Sequence, residues 1–426
     1  MSTQIANAVP FDVKDLALAE HGKRRIEWAF QSMPILQGVR KHFIKMQPFA
    51  NLRVAACLHV TPETANLMIT LRDGGAHILL CAASPHSTHD DVAACLAKDY
   101  SLPIYGIRGE SGAYFSAHID AAVAHAPQIV IDDGCHLISA LHERNPAWLA
   151  DVLGATEESP VSASRLRVAA KEGLLRFPVV AVSESNTKRV FDSRYGAGQS
   201  TLDAIVRTTG HLIAGTTLVI AGFGACGRGI AMRARGLGAS VIVTEVDPVR
   251  ALEALMDGYR VLSMSEAATL GDIFITVSGN KNVIGREHFE KFKNSAILCN
   301  AGHSKAEIDT EGLASAAYSR RVVRDFVEEF SMRDGRKIYL LADGRPVNMV
   351  AGEGQPAGVM DVSFANHALV AEYLVKEGAS LQKAVYPVSP EMDHQVAKLK
   401  LEAMSVKIDR LTVAQEQYLA NWAETA

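Results

Sequence analysis

The chain has 426 residues, 48% of them hydrophobic and 21% charged, and a formal net charge of -4. This length suits two or three domains, and the mild acidity argues against a nucleic acid or an anionic membrane as partner. No apolar run is long enough to span a bilayer and the amino-terminal residues carry early acids without a signal-peptide core, so the expected location is cytoplasmic. The cysteines at 57, 81, 95, 135, 226 and 299 have no CxxC spacing. They are read as free thiols in a reducing compartment, and no metal site is expected.

Taken in order, the first strand candidates are Arg53–Val60, Ala76–Ala83, Leu102–Arg108 and Gln128–Asp133. Helical patterns lie between them at Pro62–Arg72, Asp90–Asp99 and Gly112–His125. That alternation implies a parallel sheet covered on both faces. A helix near Ser164–Glu172 and a strand at Phe177–Ser183 follow, then a stretch read as irregular, Ser185–Ser200. A second α/β array contains Thr217–Ala221, Ser240–Glu245, Asp272–Val277, Ala296–Asn300 and Lys337–Ala342. After Gly344 the pattern is helical: Asp361–Glu377, Pro390–Met404 and Thr412–Ala423, with no new sheet. The expected architecture is α/β, with two doubly wound parallel-sheet domains and a short C-terminal helical segment. The expected division is 1–184, 185–352, 353–404 returning to the first domain, and 405–426.

Within the second array, Gly222, Gly224 and Gly227 form G-x-G-x-x-G between an apolar β-branched strand and a helix. Gly222 permits the tight turn, Gly224 a close backbone approach to a pyrophosphate, and Gly227 close helix–strand packing. The helix N-terminus offers free N–H groups to phosphates. Glu245 closes the next strand, where a carboxylate accepts from a ribose diol and repels a 2′-phosphate. The cofactor implied is therefore NAD rather than NADP.

The segment Thr187-Lys-Arg-Val-Phe-Asp-Ser-Arg-Tyr-Gly196 closely resembles a signature of the S-adenosylhomocysteine hydrolases. So do His59-Val-Thr-Pro-Glu-Thr64, Asp132-Asp-Gly134, Glu157-Glu158, Cys299-Asn-Ala-Gly-His303 and Gly344-Arg-Pro-Val-Asn348, in the family's order and spacing. The resemblance implies a hydrolysis that passes through internal redox: NAD⁺ oxidises the ribose 3′-OH, and the ketone acidifies C4′–H. The thiol then leaves from C5′, water adds, and the ketone is reduced again.

On that resemblance Lys188 and Asp192 would sit at the ribose hydroxyls, with Lys188 taking the 3′-OH proton. His59 and Asp133 would move protons at C4′ and C5′. Glu158 would bind ribose hydroxyls, and His303 would reach the ribose across the cleft. Thr61, Glu63 and Gln355 fall on the substrate's base side, and Met360 is a further substrate-binding candidate. Asn280, Asn300 and Asn348 fall on the cofactor side, with Asn348 orienting the nicotinamide amide. By themselves Lys188 and Asp192 read as an i,i+4 surface pair, Asp133 as a helix cap, Thr61 and Glu63 as a helix start.

Four departures from the family pattern stand out. The G-H-P loop is Gly354-Gln355-Pro356, the threonine run that binds NAD is Ser159-Pro160-Val161, an asparagine is replaced by Ser193, and the basic C-terminal tail of longer members is absent, as in archaeal-type members. The resemblance further implies a homotetramer. Alternatives are the same mechanism on another nucleoside thioether such as S-inosylhomocysteine, a non-catalytic NAD-binding regulator, and, more distantly, a simple dehydrogenase.

Overall fold

The structure is a computed structural model and describes residues 9–422. Seven strands build the first sheet: β1 (Phe11–Asp12), β2 (Arg53–Leu58), β3 (His77–Ala82), β4 (Ile104–Tyr105), β5 (Ile129–Asp132), β6 (Gly154–Glu157) and β7 (Val179–Ala181). Both faces of this sheet are buried. In β2, Val54, Ala56 and Leu58 join one core cluster while Ala55 and Cys57 join the other. This two-sided burial is why the strands read as continuous apolar runs rather than alternating ones.

The second sheet comprises β8 (Thr217–Ala221), β9 (Ser240–Thr244), β10 (Arg260–Val261), β11 (Ile273–Thr276), β12 (Ala296–Asn300), β13 (Ala317–Arg324), β14 (Val327–Met332) and β15 (Lys337–Leu341). Its order is β10-β9-β8-β11-β12-β15-β14-β13. The parallel part is the dinucleotide-binding order, with the direction of winding reversing between β8 and β11. β13 and β14 add an antiparallel hairpin at one edge. That hairpin was not predicted, because its charged outer residues hide the strand pattern. The charges serve it: Arg320 pairs with Glu328 at 3.1 Å and Arg321 with Glu329 at 2.9 Å across the two strands, and a charged edge strand resists pairing with another chain.

The chain then returns. The helix Ala357–Glu377 packs on the first sheet, and β16 (Val385–Pro387) pairs in parallel with β7. The first sheet is thus eight-stranded and all parallel, in the order β1-β4-β3-β2-β5-β6-β7-β16. Strands β1, β6 and β16 are corrections to the expected set; each has four residues or fewer, too short for a periodicity signal. Asp361 anchors the return by accepting from the Leu36 amide at 2.9 Å and from Lys400 at 2.9 Å. The helix Val413–Ala420 is exposed throughout; the final residue of the helix expected at Thr412–Ala423 lies outside the described residues. Among the described residues no helix is long and apolar enough to cross a membrane.

The largest correction concerns Ser185–Ser200. It is helical: a turn at Asn186–Lys188 leads into a π-helical stretch, Arg189–Gly196, and then the helix Ala197–Thr209. The amide of Ala197 reaches the carbonyl of Asp192, five residues back. A π turn is a local widening often found where a helix carries functional side chains. Glycines admit it: a Cβ on Gly229 would overlap the carbonyl of Arg194, and one on Gly198 would lie 2.7 Å from the carbonyl carbon of Gly229.

Candidate active site

In the first sheet the strand order reverses between β2 and β5, and α/β ligand sites form at the carboxyl ends of strands at such a point. His59 follows β2 and Asp133 follows β5, so topology alone brings them together. His59 Nε2 lies 3.3 Å from Asp133 Oδ2. Its Nδ1 is held by the Ser87 hydroxyl at 2.5 Å, leaving Nε2 as the edge that faces Asp133. Burial pushes the imidazole pKa down, and the carboxylate of Asp133 opposes that shift. The neighbouring acids do other work. Glu157, fully buried, accepts from the amides of Gly134 at 3.0 Å, Cys135 at 3.1 Å and Ser159 at 2.7 Å, so it shapes the two loops. Asp132 caps Ile138 at 2.7 Å, and burial raises its pKa to about 7.

Lys188 and Asp192 are not the surface pair that their spacing alone suggests. Lys188 is 5% exposed and Asp192 7%. Lys188 Nζ touches Glu158 Oε1, lies 2.5 Å from Asp192 Oδ2 and 3.0 Å from Ser363 Oγ. Burial works against the ammonium, but the two carboxylates outweigh it and raise its pKa. For Glu158 burial acts upward, and Lys188 with His367 overcomes it, holding the carboxyl at about 2. Asp192 is raised, by burial and by Glu158, against the pull of Lys188. The two groups adjoin through the backbone, where the amide of Glu158 donates to the carbonyl of Asp132 at 2.9 Å, one residue before Asp133.

The turn bearing Lys188 is pinned from the returning segment. Asp393 accepts from the amides of Asn186 at 2.7 Å and Thr187 at 3.1 Å, and Asn366 donates to Thr187 at 3.0 Å. Sequence reasoning missed these, together with Ser87, Ser363 and His367. Each reaches the site by tertiary contact from a distant stretch of the chain. For His367 the signal lay in a histidine inside an otherwise apolar helix face, a pattern that more often means a satisfied core residue.

The glycine loop has the geometry a dinucleotide requires. Gly222 has φ +113°, and a Cβ there would lie 2.8 Å from the Val277 carbonyl. A Cβ on Gly227 would overlap the Gly222 carbonyl, whereas one on Gly224 would meet only Arg250, at 3.9 Å. Gly222 and Gly227 are therefore required by the fold, while Gly224 leaves open space for phosphates. Glu245 Oε2 accepts from the Phe223 amide at 2.6 Å, which fixes its carboxylate beside the loop. This cradle fits NAD.

The remaining candidates divide. Thr61 caps the helix Pro62–Asp73, and Glu63 is buried in its first turn with its pKa raised by burial. Met360 packs against the first-sheet core at the start of the helix Ala357–Glu377. His303, on the loop after β12, crosses to the first sheet: a Cβ on Gly134 would lie 3.6 Å from its Cε1. Asn280 is exposed in the loop after β11, with its Oδ1 accepting from the Lys281 amide at 2.8 Å. Asn300, at the end of β12, organises its loop: its amide donates to the carbonyls of Ser304 and Gly344, and its oxygen accepts from Thr276 and Gly302. Gln355 donates to Asp192 Oδ1 at 3.0 Å and accepts from Ser200 at 3.3 Å. Gly196 makes room for it, since a Cβ there would lie 2.5 Å from Gln355 Oε1. Asn348 in turn donates to Ser200 at 3.2 Å, so a hydrogen-bonded string runs from Asn348 to Lys188.

Comparison with known proteins agrees with this geometry. The sequence model "S-adenosyl-L-homocysteine hydrolase" matches residues 10–150, and "S-adenosyl-L-homocysteine hydrolase, NAD binding domain" matches residues 193–354. The chain is 53% identical to an adenosylhomocysteinase of Aquifex aeolicus, over 97% of this chain and 99% of that protein. It is 49% identical to one of Thermosynechococcus vestitus, over 99% of each. It is also 48% identical, over 97% of this chain and 99% of the relative, to the S-inosyl-L-homocysteine hydrolase of Methanocaldococcus jannaschii. The chain belongs to the S-adenosyl-L-homocysteine hydrolase family and carries that family's NAD-binding domain.

Proposed function

We propose that the chain hydrolyses the thioether of S-adenosyl-L-homocysteine to adenosine and L-homocysteine, using NAD within each turnover. The observation that carries this reading is the buried Lys188–Glu158–Asp192 cluster, joined through the Glu158 amide to the strand end that bears Asp133, which faces His59. Bound NAD supplies a hydride acceptor for the ribose C3′ and returns the hydride at the end. Gly222, Gly224, Gly227 and Glu245 would hold it, and Asn348 would orient the nicotinamide amide.

The chain's own residues do the proton chemistry. Glu158 and Asp192 accept hydrogen bonds from the ribose hydroxyls. As they do so, their hold on Lys188 weakens, and the lysine can give up its proton and take the one from the 3′-OH. His59 and Asp133, at the switch point, take the C4′ proton and protonate the departing sulfur. They then withdraw a proton from the water that adds at C5′ and return a proton to C4′. His303 closes on the ribose from the second sheet. In this reading residues 1–184 with 353–404 bind the substrate, 185–352 bind NAD, and the 405–426 segment serves assembly into a cytoplasmic homotetramer.

A second substrate has a specific observation behind it. The S-inosyl-L-homocysteine hydrolase relative is nearly as similar as the adenosylhomocysteinases, and glutamine replaces a histidine in the family's G-H-P loop at Gln355. The test is a panel of nucleoside thioethers added to purified holoenzyme, with free thiol and the absorbance of bound NADH followed together. Turnover of S-adenosylhomocysteine with transient bound NADH is expected. Turnover of the inosyl compound alone selects the second substrate. Neither signal with any thioether refutes the reading, and accumulation of free NADH indicates a dehydrogenase instead.

A further inference from the structure

We propose that His367 is a positioning residue: it holds the Glu158 carboxylate so that one oxygen only is left for Lys188 and the ribose. This rests on the reading of Lys188 as the group that takes the 3′-OH proton. His367 is fully buried on the helix Ala357–Glu377. Its Nε2 lies 2.5 Å from Glu158 Oε2 and its Nδ1 2.7 Å from Thr156 Oγ1. Both ring nitrogens are engaged, so the ring plane is fixed by β6 on one edge and by the carboxylate on the other. Glu158 Oε2 is thereby directed away from Lys188, and Oε1 alone touches the lysine and accepts from Ser363 at 3.2 Å.

The consequence is electrostatic. A carboxylate free to turn would place both oxygens on the buried ammonium and strengthen its hold on the proton. His367 limits that attraction and leaves Oε1 available to a ribose hydroxyl. The charged groups around the pair are Lys188 and Asp192, and the titratable ring of His59 lies beyond them. The groups on the ring's own helix are the neutral Ser363 and the ring of Phe364, 6.4 Å away.

Two measurements on holoenzyme test this. The first is the pH dependence of bound-NADH absorbance on adding S-adenosylhomocysteine, for the native chain, His367→Leu and His367→Gln. Leucine should move the acid limb to higher pH, about a tenfold loss of signal at a fixed point on that limb. Glutamine, whose amide can donate to Glu158 and accept from Thr156, should restore the native limb. An unmoved limb in His367→Leu overturns the proposal, and so does an equal shift in both variants. The second measurement does not need turnover: the low-field imidazole N–H proton of the ¹⁵N-histidine-labelled protein. The signal absent in His367→Gln identifies His367, and that signal should vanish in Glu158→Ala. Its persistence in Glu158→Ala overturns the proposal. Failure of the native enzyme to form bound NADH counts against the function reading alone, and the N–H signal still decides on His367.

Discussion

Replacing Lys188 by methionine removes one buried cation and leaves its volume nearly unchanged. Two carboxylates, Glu158 and Asp192, then face each other with no ammonium between them, at side chains 10% and 11% exposed. Removing one partner of a buried ion pair costs about 3–5 kcal/mol, because a charge is left without compensation. For a domain of this size that lowers the melting midpoint by roughly 10 °C, which the fold survives. The sign of the pH dependence follows from the shifts. Glu158 has a depressed pKa of about 2, so its contribution in the native chain is present above its ordinary value of 4.5 and lost as pH falls toward 2. In Lys188→Met the depression is gone, and burial with mutual repulsion favours protonation. The destabilisation is therefore largest near ~pH 8 and smaller near ~pH 5, where protons bind the freed acids. Thermal unfolding of holoenzyme at both pH values, beside bound-NADH formation on adding substrate, reads the effect. The expected result is a pH-relieved destabilisation with no NADH formed. A midpoint equal to the native one at ~pH 8, or a loss that deepens on acidification, would refute the electrostatic account. Undiminished NADH formation would remove Lys188 from the chemistry.

Three further outcomes follow from single observations. Gly224→Ala should weaken NAD binding while the apoprotein melts as before, whereas Gly227→Ala should fail to give stable protein; calorimetric NAD titration and expression of both variants check this. His89 is 7% exposed, and burial with the nearby Arg25 guanidinium lowers its pKa from 6.5 to about 4. Its neutral form stabilises above 6.5, and that contribution, ~3 kcal/mol, is lost as pH falls toward 4. His89→Gln should flatten the stability of the chain across that window, measured as the difference in melting midpoint from the native protein. Gln355→His should raise S-adenosylhomocysteine turnover if the loop limits it. Because Gln355 donates to Asp192, the change should act on kcat as well as on the choice of base, the latter measured as the adenosyl-to-inosyl ratio of kcat/KM.

The α/β class, both parallel arrays and the dinucleotide loop were legible in the chain because each rests on local or short-range pattern, and the family was legible in contiguous motifs. Buried parallel strands are apolar runs, the glycines have individual steric reasons, and the motif Thr187–Gly196 is contiguous. Three kinds of feature were not legible. Strands of four residues or fewer, such as Gly154–Glu157 and Val385–Pro387, exist because neighbours hold them, not because their residues alternate. The stretch Ser185–Ser200 looked irregular because its helix depends on Gly198 meeting Gly229 and on Asp393 capping it from a distant segment. The third kind is partnership. The sequence placed Lys188, Glu158 and Asp192 in the site, but only the packing of the returning helix against β6 buried them together and set His367, Ser363 and Gln355 around them. By itself the sequence determined which chemical groups the protein possesses. Tertiary structure decided which of their oxygens and nitrogens remain free to act, because that depends on hydrogen bonds between residues far apart in the chain.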